Sequence, residues 1–399
     1  MSSLAEALVD TGGITLAVAS VLPGLPAGQY TVNGVKHYLV HANNADEILR
    51  SPSCKTFAQC ESIIDDFKPD IIHVHGTEHF YGLLGSENRV KVPIVISIQG
   101  LIHDYSKYYF SGLSLPELWR AHSLYELLRS TGLVHQRNYW RHQAAMERRI
   151  ITGNRYFIGR TLWDRAHIRA LNANARYFHC DELVRPAFYD ARRDSSAIDR
   201  HTMFVPTGCY PIKGLHVALR AASILKKDFP DLLVRVPDTP FFKKQHWVKR
   251  LYCESGYSRY LRQLIADLGL EACVQPLGIL NGEEMADQLA RAHVMVLPSF
   301  IENSPNSLVE AMLVGTPTVV SFVGGIPSMV TDGISSLCYP SGDDAVLAEC
   351  VREIFNNDDL AARITRAASD VAIERNSKVK ITKKMLEIYR EVYESQVDV

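Results

Sequence analysis

Apolar positions along the chain fall into two alternating patterns: short β-branched runs ended by glycine or proline, and longer runs with helical spacing. "GITLAVASVL", Gly13 to Leu22, is of the first kind. "YTVNGVKHYLV" places Asn33-Gly34 between two strand-like flanks, a pair suited to a tight hairpin because both residues tolerate positive φ. "CESIIDDFKPDIIHVHG" reads as an amphipathic helix broken at Pro69 and then a strand ending at Gly76; "VPIVISIQG" is a second strand ending in glycine. Parallel strands that run into flexible polar loops at their carboxyl ends present ligand sites there. From Tyr105 to Tyr177 the pattern turns helical, and "RPAFYDARRDSSAIDRH", Arg185 to His201, is polar and irregular and marks a domain boundary. The rhythm then restarts, with strands "TMFVPTG", "DLLVRVPD", "CVQPLGIL", "HVMVLPS" and "TPTVVSFV" interleaved with helices such as "GLHVALRAASILKKDFP" and "GEEMADQLARA". The pattern predicts two α/β domains in tandem, followed by helix to Val399.

Composition narrows the functional classes. The 399 residues are 47% hydrophobic and 22% charged, as expected for a water-soluble globular chain with a large core. A net charge of -1 argues against nucleic acid as a partner. No uninterrupted apolar run approaches the ~18 residues of a membrane span. The start, "MSSLAEALVD", has no basic-then-apolar signal, so a cytoplasmic location is expected. Eight scattered cysteines without a C-x-x-C pair favour reduced thiols over disulfides or a zinc site. Residues 101 to 180 hold twelve Lys/Arg against five Asp/Glu. This excess suits solvated helix faces with internal ion pairs, or else a surface for an anionic lipid-linked acceptor or a membrane face.

Candidate chemistry gathers in "FIENSPNSLVEAMLVGTPTVVSFVGG", Phe300 to Gly325. The spacing predicts a helix with Ser304 as N-cap, Pro305 at the first helical position and Gly315 just past the end. Its side chains are almost all apolar, so it should be buried. The amides of Asn306, Ser307 and Leu308 then form an anion site, most naturally for a phosphate or diphosphate. Glu310 lies one turn further in and Glu302 in the preceding loop, separated by seven residues. Vicinal sugar hydroxyls are partners that suit a carboxylate in such a dry place.

With its Pro, EAM, G-x-P and GG-x-P neighbours in order, this stretch closely resembles the E-x7-E signature of the retaining glycosyltransferases of family 4. The resemblance runs on through "LAEAL", "DIIHVHG", "IKGLHVALRAASIL", "VMVLPSF" and "KKMLEIYREV". It implies a GT-B fold of two Rossmann-like domains facing across a cleft: residues 1–190 binding the acceptor, residues 200–375 binding a nucleotide sugar, and a helix over 376–399 packing back toward the first domain. It further implies that Glu310 binds the ribose hydroxyls and that Glu302 contacts the transferred sugar. The backbone of Ser307 and Leu308, beside Asn306, would hold the diphosphate. Lys213 in "PIKG" matches the lysine that neutralises the leaving diphosphate, and Leu277, Gly278 and Ile279 match the strand end beside the base. The implied donor is UDP- or GDP-linked and the acceptor a carbohydrate or lipid-linked sugar in polysaccharide or glycolipid assembly. No metal or cofactor is implied, because no Asp-x-Asp stands near the site; the absence of a G-x-G-x-x-G after a strand speaks against a dinucleotide oxidoreductase.

The chain departs from the family pattern at three places. Gly208 stands where members carry an arginine five residues before the lysine. Gln99 stands where many have a histidine, with His103 and Asp104 nearby to supply the group, so Gln99 and His103 are the acceptor-side candidates; His73 and His75 read as structural. Finally, Ser3-Leu4-Ala5-Glu6 reads as a capping box, so the sequence opens on a helix where the family has a strand and glycine-rich loop. These departures leave open a catalytically impaired nucleotide-sugar-binding protein, and the architecture also serves epimerases and phosphorylases.

Overall fold

The computed structural model describes residues 2–122, 126, 131–208, 210–237 and 255–397, so Cys209 and Cys253 lie outside the described residues. The chain divides into two compact units: Met1–Ser106, Tyr139–Leu183 and Asn376–Val399 form the first, Lys107–Asn138 and Val184–Arg375 the second. One segment departs from the boundaries expected from sequence, and the C-terminal helix falls where it was expected. Residues 107–138 cluster with the later unit, and the C-terminal helix with the earlier one.

In the first unit, β1 (Ala17–Pro23) pairs in parallel with β3 (Val35–Ala42), which takes β2 (Gly28–Val32) as an antiparallel partner. The hairpin turn is the expected Asn33-Gly34, with φ of 49° and 78°. A second, all-parallel sheet runs β4 (Ile72–His75), β5 (Ile94–Ser97), β6 (Tyr156–Gly159), β7 (Arg176–His179). Val21 and Val40 of the first sheet share one core with Val74, Ile96 and Phe157 of the second. β6 falls inside the stretch that reads as helical in sequence, and β7 begins at its end. All four residues of β6 are buried on both faces, so "YFIG" carries no alternation to betray a strand. The first helix spans Ser2–Asp10, which puts Ser3 inside it and not at a cap. Its Ala7 and Leu8 pack in a core with Ile381, Met385, Ile388 and Val392, one face of the C-terminal helix Lys378–Val397.

The second unit is built on six parallel strands: β8 (Asp199–Phe204), β9 (Leu233–Pro237), β10 (Val274–Gly278), β11 (Ala292–Leu297), β12 (Thr318–Ser321) and β13 (Leu337–Tyr339). Their spatial order, β10-β9-β8-β11-β12-β13, means that the chain winds outward from β8 in one direction and from β11 in the other. The order reverses between β8 and β11, and at such a switch the two connecting loops splay apart and leave a crevice at the strands' carboxyl ends.

Residues 107–138 are bound to this unit by polar contacts that no periodicity announces. The Glu117 carboxylate accepts from Arg220 Nη2 at 2.5 Å and from the Tyr260 hydroxyl at 2.8 Å, and Glu126 Oε1 accepts the Gly256 N–H at 2.8 Å. Burial pushes the Glu117 carboxyl up, but hydrogen bonds from Ser114 and Tyr260 and the Arg220 charge outweigh it and bring it down to about 2. A carboxyl depressed by folding stabilises the protein fully above its unfolded value and loses that contribution as pH falls through the folded one. The melting-temperature gap between parent and Glu117→Gln is therefore expected to be widest at pH 7 and to narrow by pH 3.5; a constant gap would overturn this attachment.

Candidate functional site

The loops after β8 and β11 line the crevice of the second unit. After β8, Pro211–Lys213 makes one 3-10 turn that ends on Gly214, at φ 70°. A Cβ at Gly214 would lie 1.8 Å from the Pro298 carbonyl oxygen, so a glycine is needed for this turn to rest on the end of β11. The Phe300 N–H donates to Ile212 O at 2.8 Å and ties the two loops together. This docking brings Lys213 Nζ to 2.6 Å from Glu302 Oε1, which also accepts from Ser299 Oγ at 2.7 Å. Glu302 is 4% exposed and Ser299 is fully buried, so the carboxylate depends on these two donors. From the other side, the Gly325 N–H donates to Glu302 O at 2.9 Å, and Gly324 approaches that oxygen so closely that a Cβ would stand 2.0 Å away. The "VGG" signal thus holds the glutamate loop in place.

The helix after the glutamate loop spans Asn306–Val314 and ends on Gly315 at φ 92°, as expected. Its start differs from expectation: Pro305 occupies the N-cap position, and no side chain caps the helix. The Leu308 N–H donates to Pro305 O at 3.1 Å, so of the three amides expected to meet an anion only those of Asn306 and Ser307 lack intrahelical acceptors. Leu308 to Val314 are all buried, Glu310 among them. The Glu310 Oε1 accepts from Arg185 Nη2 at 3.0 Å and Nε at 3.3 Å. Burial pushes the Glu310 carboxyl above its usual range, and the Arg185 charge and hydrogen bonds partly draw it back.

β10 forms the sheet edge and ends at Gly278, φ 76°. Leu277 packs against the core, and Ile279 is 81% exposed, placing an uncovered apolar side chain at that strand end. The loop leads to the helix Gly282–Arg291, and a Cβ at Gly282 would stand 3.8 Å from the Arg185 guanidinium. Arg185 therefore lies between the start of this helix and Glu310.

The two acceptor-side candidates lie in the first unit and part company there. Gln99 lines a pocket at the carboxyl ends of the strands with His75, Ser97, Arg160, Asp181 and Glu182. Its amide donates to Glu182 Oε1 at 3.1 Å and accepts from Arg160 Nη2 at 3.1 Å. His103 does not line this pocket; it is buried, with Nδ1 2.6 Å from Glu147 Oε2, and the same carboxylate takes the backbone N–H groups of Ile102 and His103. That geometry makes Glu147 the anchor of the loop after β5. Asp104 is buried beside it. His73, read as structural, bonds Tyr389 and Ser97.

Sequence reasoning missed Arg185 and Ser299 in the second unit, and Arg160 and Glu182 in the first. Arg185 stood in a segment read as linker, where nothing periodic marks which of its arginines turns inward. Ser299 directly follows a strand-ending Pro298, the one local hint that it sits at a strand's carboxyl end.

Known proteins resemble this chain over most of its second unit in sequence and over both units in fold. Residues 196–371 match the family described as Glycosyl transferases group 1. A D-inositol 3-phosphate glycosyltransferase of Streptomyces avermitilis is 31% identical over 165 residues, 40% of this chain and 33% of that protein. A putative colanic acid biosynthesis glycosyltransferase, WcaL of Salmonella typhimurium, is 32% identical over 172 residues, 41% of this chain and 39% of its own. The chain thus spans a third to two fifths of the length of these relatives. Among solved structures, a sucrose-phosphate synthase from Thermosynechococcus elongatus superposes with a TM-score of 0.74 at 16% identity, covering 98% of this chain and 92% of the other. Anabaena Alr3699/HepE in complex with UDP-glucose gives 0.61 at 16% identity, over 91% and 86%. At such low identity the likeness is one of fold, and the fold is GT-B, with two Rossmann-like α/β units.

Proposed function

We propose that this chain is a retaining glycosyltransferase of the family 4 type, moving a hexosyl or related sugar from a UDP- or GDP-linked donor to an acceptor hydroxyl. The observation that carries this reading is the Lys213–Glu302 pair at the β8/β11 switch point, set just ahead of a helix start whose amides lack intrahelical acceptors. In this reading the second unit binds the donor and the first the acceptor, a carbohydrate or lipid-linked sugar, with the Gln99, Arg160 and Glu182 pocket as its polar floor. Glu310 takes the ribose hydroxyls, Asn306 and Ser307 amides the diphosphate, and Glu302 the transferred sugar. Leu277 to Ile279 lie beside the base. The bond from the anomeric carbon to the diphosphate oxygen breaks and the acceptor oxygen bonds to that carbon on the same face. The acceptor's proton passes to the departing diphosphate. Lys213 and the helix amides stabilise the charge that develops on the leaving group.

No metal is assigned a role; among the described residues, no group of three or more His, Cys, Asp or Glu could hold one. No helix among them is long and apolar enough to cross a membrane. We place the activity in polysaccharide or glycolipid assembly at the cytoplasmic face of a membrane, which would bring the basic excess of residues 101 to 180 near anionic lipid.

The test is a thermal-shift panel of UDP, GDP and ADP on the parent and on Glu310→Ala. A ligand at about 100 times its dissociation constant adds about 2.7 kcal/mol of stability. The carboxylate's hydrogen bonds to ribose are worth about 1.5 to 3 kcal/mol, so the variant should bind roughly 10- to 150-fold more weakly. Equal affinity in the two proteins would refute the ribose assignment. Donor binding without turnover over any acceptor would favour a non-catalytic binding protein, a reading to which Gly208 in place of the family arginine lends weight.

A further inference from the structure

Among the described residues, the second unit's site has too few cations for the ligand assigned to it. A nucleoside diphosphate brings two to three negative charges, and Glu302 and Glu310 add two more. Against these stands Lys213, whose ammonium is already 2.6 Å from Glu302. Position 208 holds no cation, and a Cβ at Gly208 would come 2.4 Å from Leu215 Cδ2, so a longer side chain there would require the Leu215 side chain to move.

A guanidinium also stands beside Glu310. Arg185 is held by a turn preceding the helix Ala187–Asp190, with its plane over the Phe188 ring, 4.8 Å from the centroid. Its Nη2 and Nε both donate to Glu310 Oε1. The two ends of this pair differ: the Glu310 side chain is 7% exposed, the Arg185 side chain 47%. The carboxylate is therefore buried while the cation stays open to solvent. Glu310 lies one helical turn, about 5.4 Å, beyond the amides of Asn306 and Ser307. A long side chain anchored at Glu310 can span that distance by rotation alone.

We propose that Arg185 is a donor-site residue that supplies the second positive charge to the diphosphate. Ribose hydroxyls and the guanidinium compete for the same Glu310 oxygen, so nucleotide binding releases Arg185 from Glu310 and its forked donors turn to the phosphate oxygens. Arginine suits this role because it pairs with phosphate through two parallel N–H bonds and remains charged throughout. In the free protein the same pair keeps a buried carboxylate satisfied. This inference rests on the donor-site reading above and deepens it.

The experiment compares a nucleoside diphosphate with its nucleoside, using whichever of UDP, GDP and ADP stabilises the parent, on the parent, Arg185→Ala, Arg185→Lys and Glu310→Ala, by calorimetric titration. Arg185→Ala is expected to weaken the diphosphate about tenfold or more, the worth of a charge-assisted contact, and the nucleoside by less than about threefold. Arg185→Lys should recover part of the diphosphate's affinity, because the charge remains while the fork is lost. Glu310→Ala should weaken nucleoside and diphosphate by the same factor. If Arg185→Ala weakened both ligands equally, Arg185 would only prop Glu310 and the proposal would fall while the donor site stood. If Arg185→Ala left both unchanged, the proposal would likewise fall alone. Failure of every nucleotide to bind the parent would remove the donor site and this proposal together. Because the Arg185 side chain is half exposed, its replacements should fold, and each variant's melting temperature checks this.

Discussion

Lys213→Ala is expected to slow cleavage of the nucleotide sugar by about 100- to 1,000-fold, the range found when one preorganised donor to a developing negative charge is removed. The substrate's ground-state charge is spread over the whole diphosphate, whereas the transition state concentrates new charge on the departing oxygen, so the loss should fall on kcat more than on KM. The measurement needs no acceptor: release of the nucleoside diphosphate from the nucleotide sugar by slow hydrolysis reports the same bond breaking. A complication is built into the site, since removing Lys213 leaves the buried Glu302 carboxylate relying on the Ser299 hydroxyl. Part of any lost rate could then reflect a disturbed loop. The double variant Lys213→Ala/Glu302→Gln separates the two causes. It removes the stranded charge, so stability should return toward that of the parent while cleavage stays slow. A Lys213→Ala protein that cleaves the donor at the parent's rate would remove Lys213 from the mechanism.

Gly214→Ala should cost about 2 to 4 kcal/mol of stability, from a left-handed backbone and a methyl group driven against a backbone oxygen 1.8 Å away. For a unit of this size that is a fall of about 5 to 15 °C in melting temperature. Gly269 provides the internal control. It shares the positive φ, at 64°, but a Cβ there would meet nothing within 4 Å, so Gly269→Ala should show the conformational penalty alone, about 1 kcal/mol. The difference between the two variants isolates the contact that seats the Lys213 turn on the end of β11. Because the turn's displacement would also move Lys213 away from Glu302, Gly214→Ala should lose donor cleavage along with stability. Equal melting temperatures for the two variants would show that the Pro298 contact yields without cost.

Much of this was written in the chain's local patterns. The Asn33-Gly34 hairpin, the βα rhythm of the second unit and the stop at Gly315 all follow from turn chemistry and periodicity, which act over a few residues. Glu302 and Glu310 stood out because a buried helix start with two nearby carboxylates is costly unless each finds a partner. The Lys213 turn was legible through its P-I-K-G punctuation. β6 escaped because a strand buried on both faces has no polar side to alternate with, and the helix start was misplaced by one residue because Ser304 and Pro305 are each plausible at a cap.

What only the tertiary structure decided is which distant groups meet. That Lys213 neutralises Glu302 depends on β8 and β11 lying side by side, which is a property of the winding order and not of either loop. Arg185 meets Glu310 across 125 positions, and Glu117 meets Arg220 across 103. No local period encodes such pairs, because a charge buried in one segment is satisfied by whichever charge the packed sheet and helices carry to it. The sequence by itself determined most of the elements and the chemistry each could offer. The fold determined how those charges are balanced, because the cost of burying a charge exists only once the chain has closed around it.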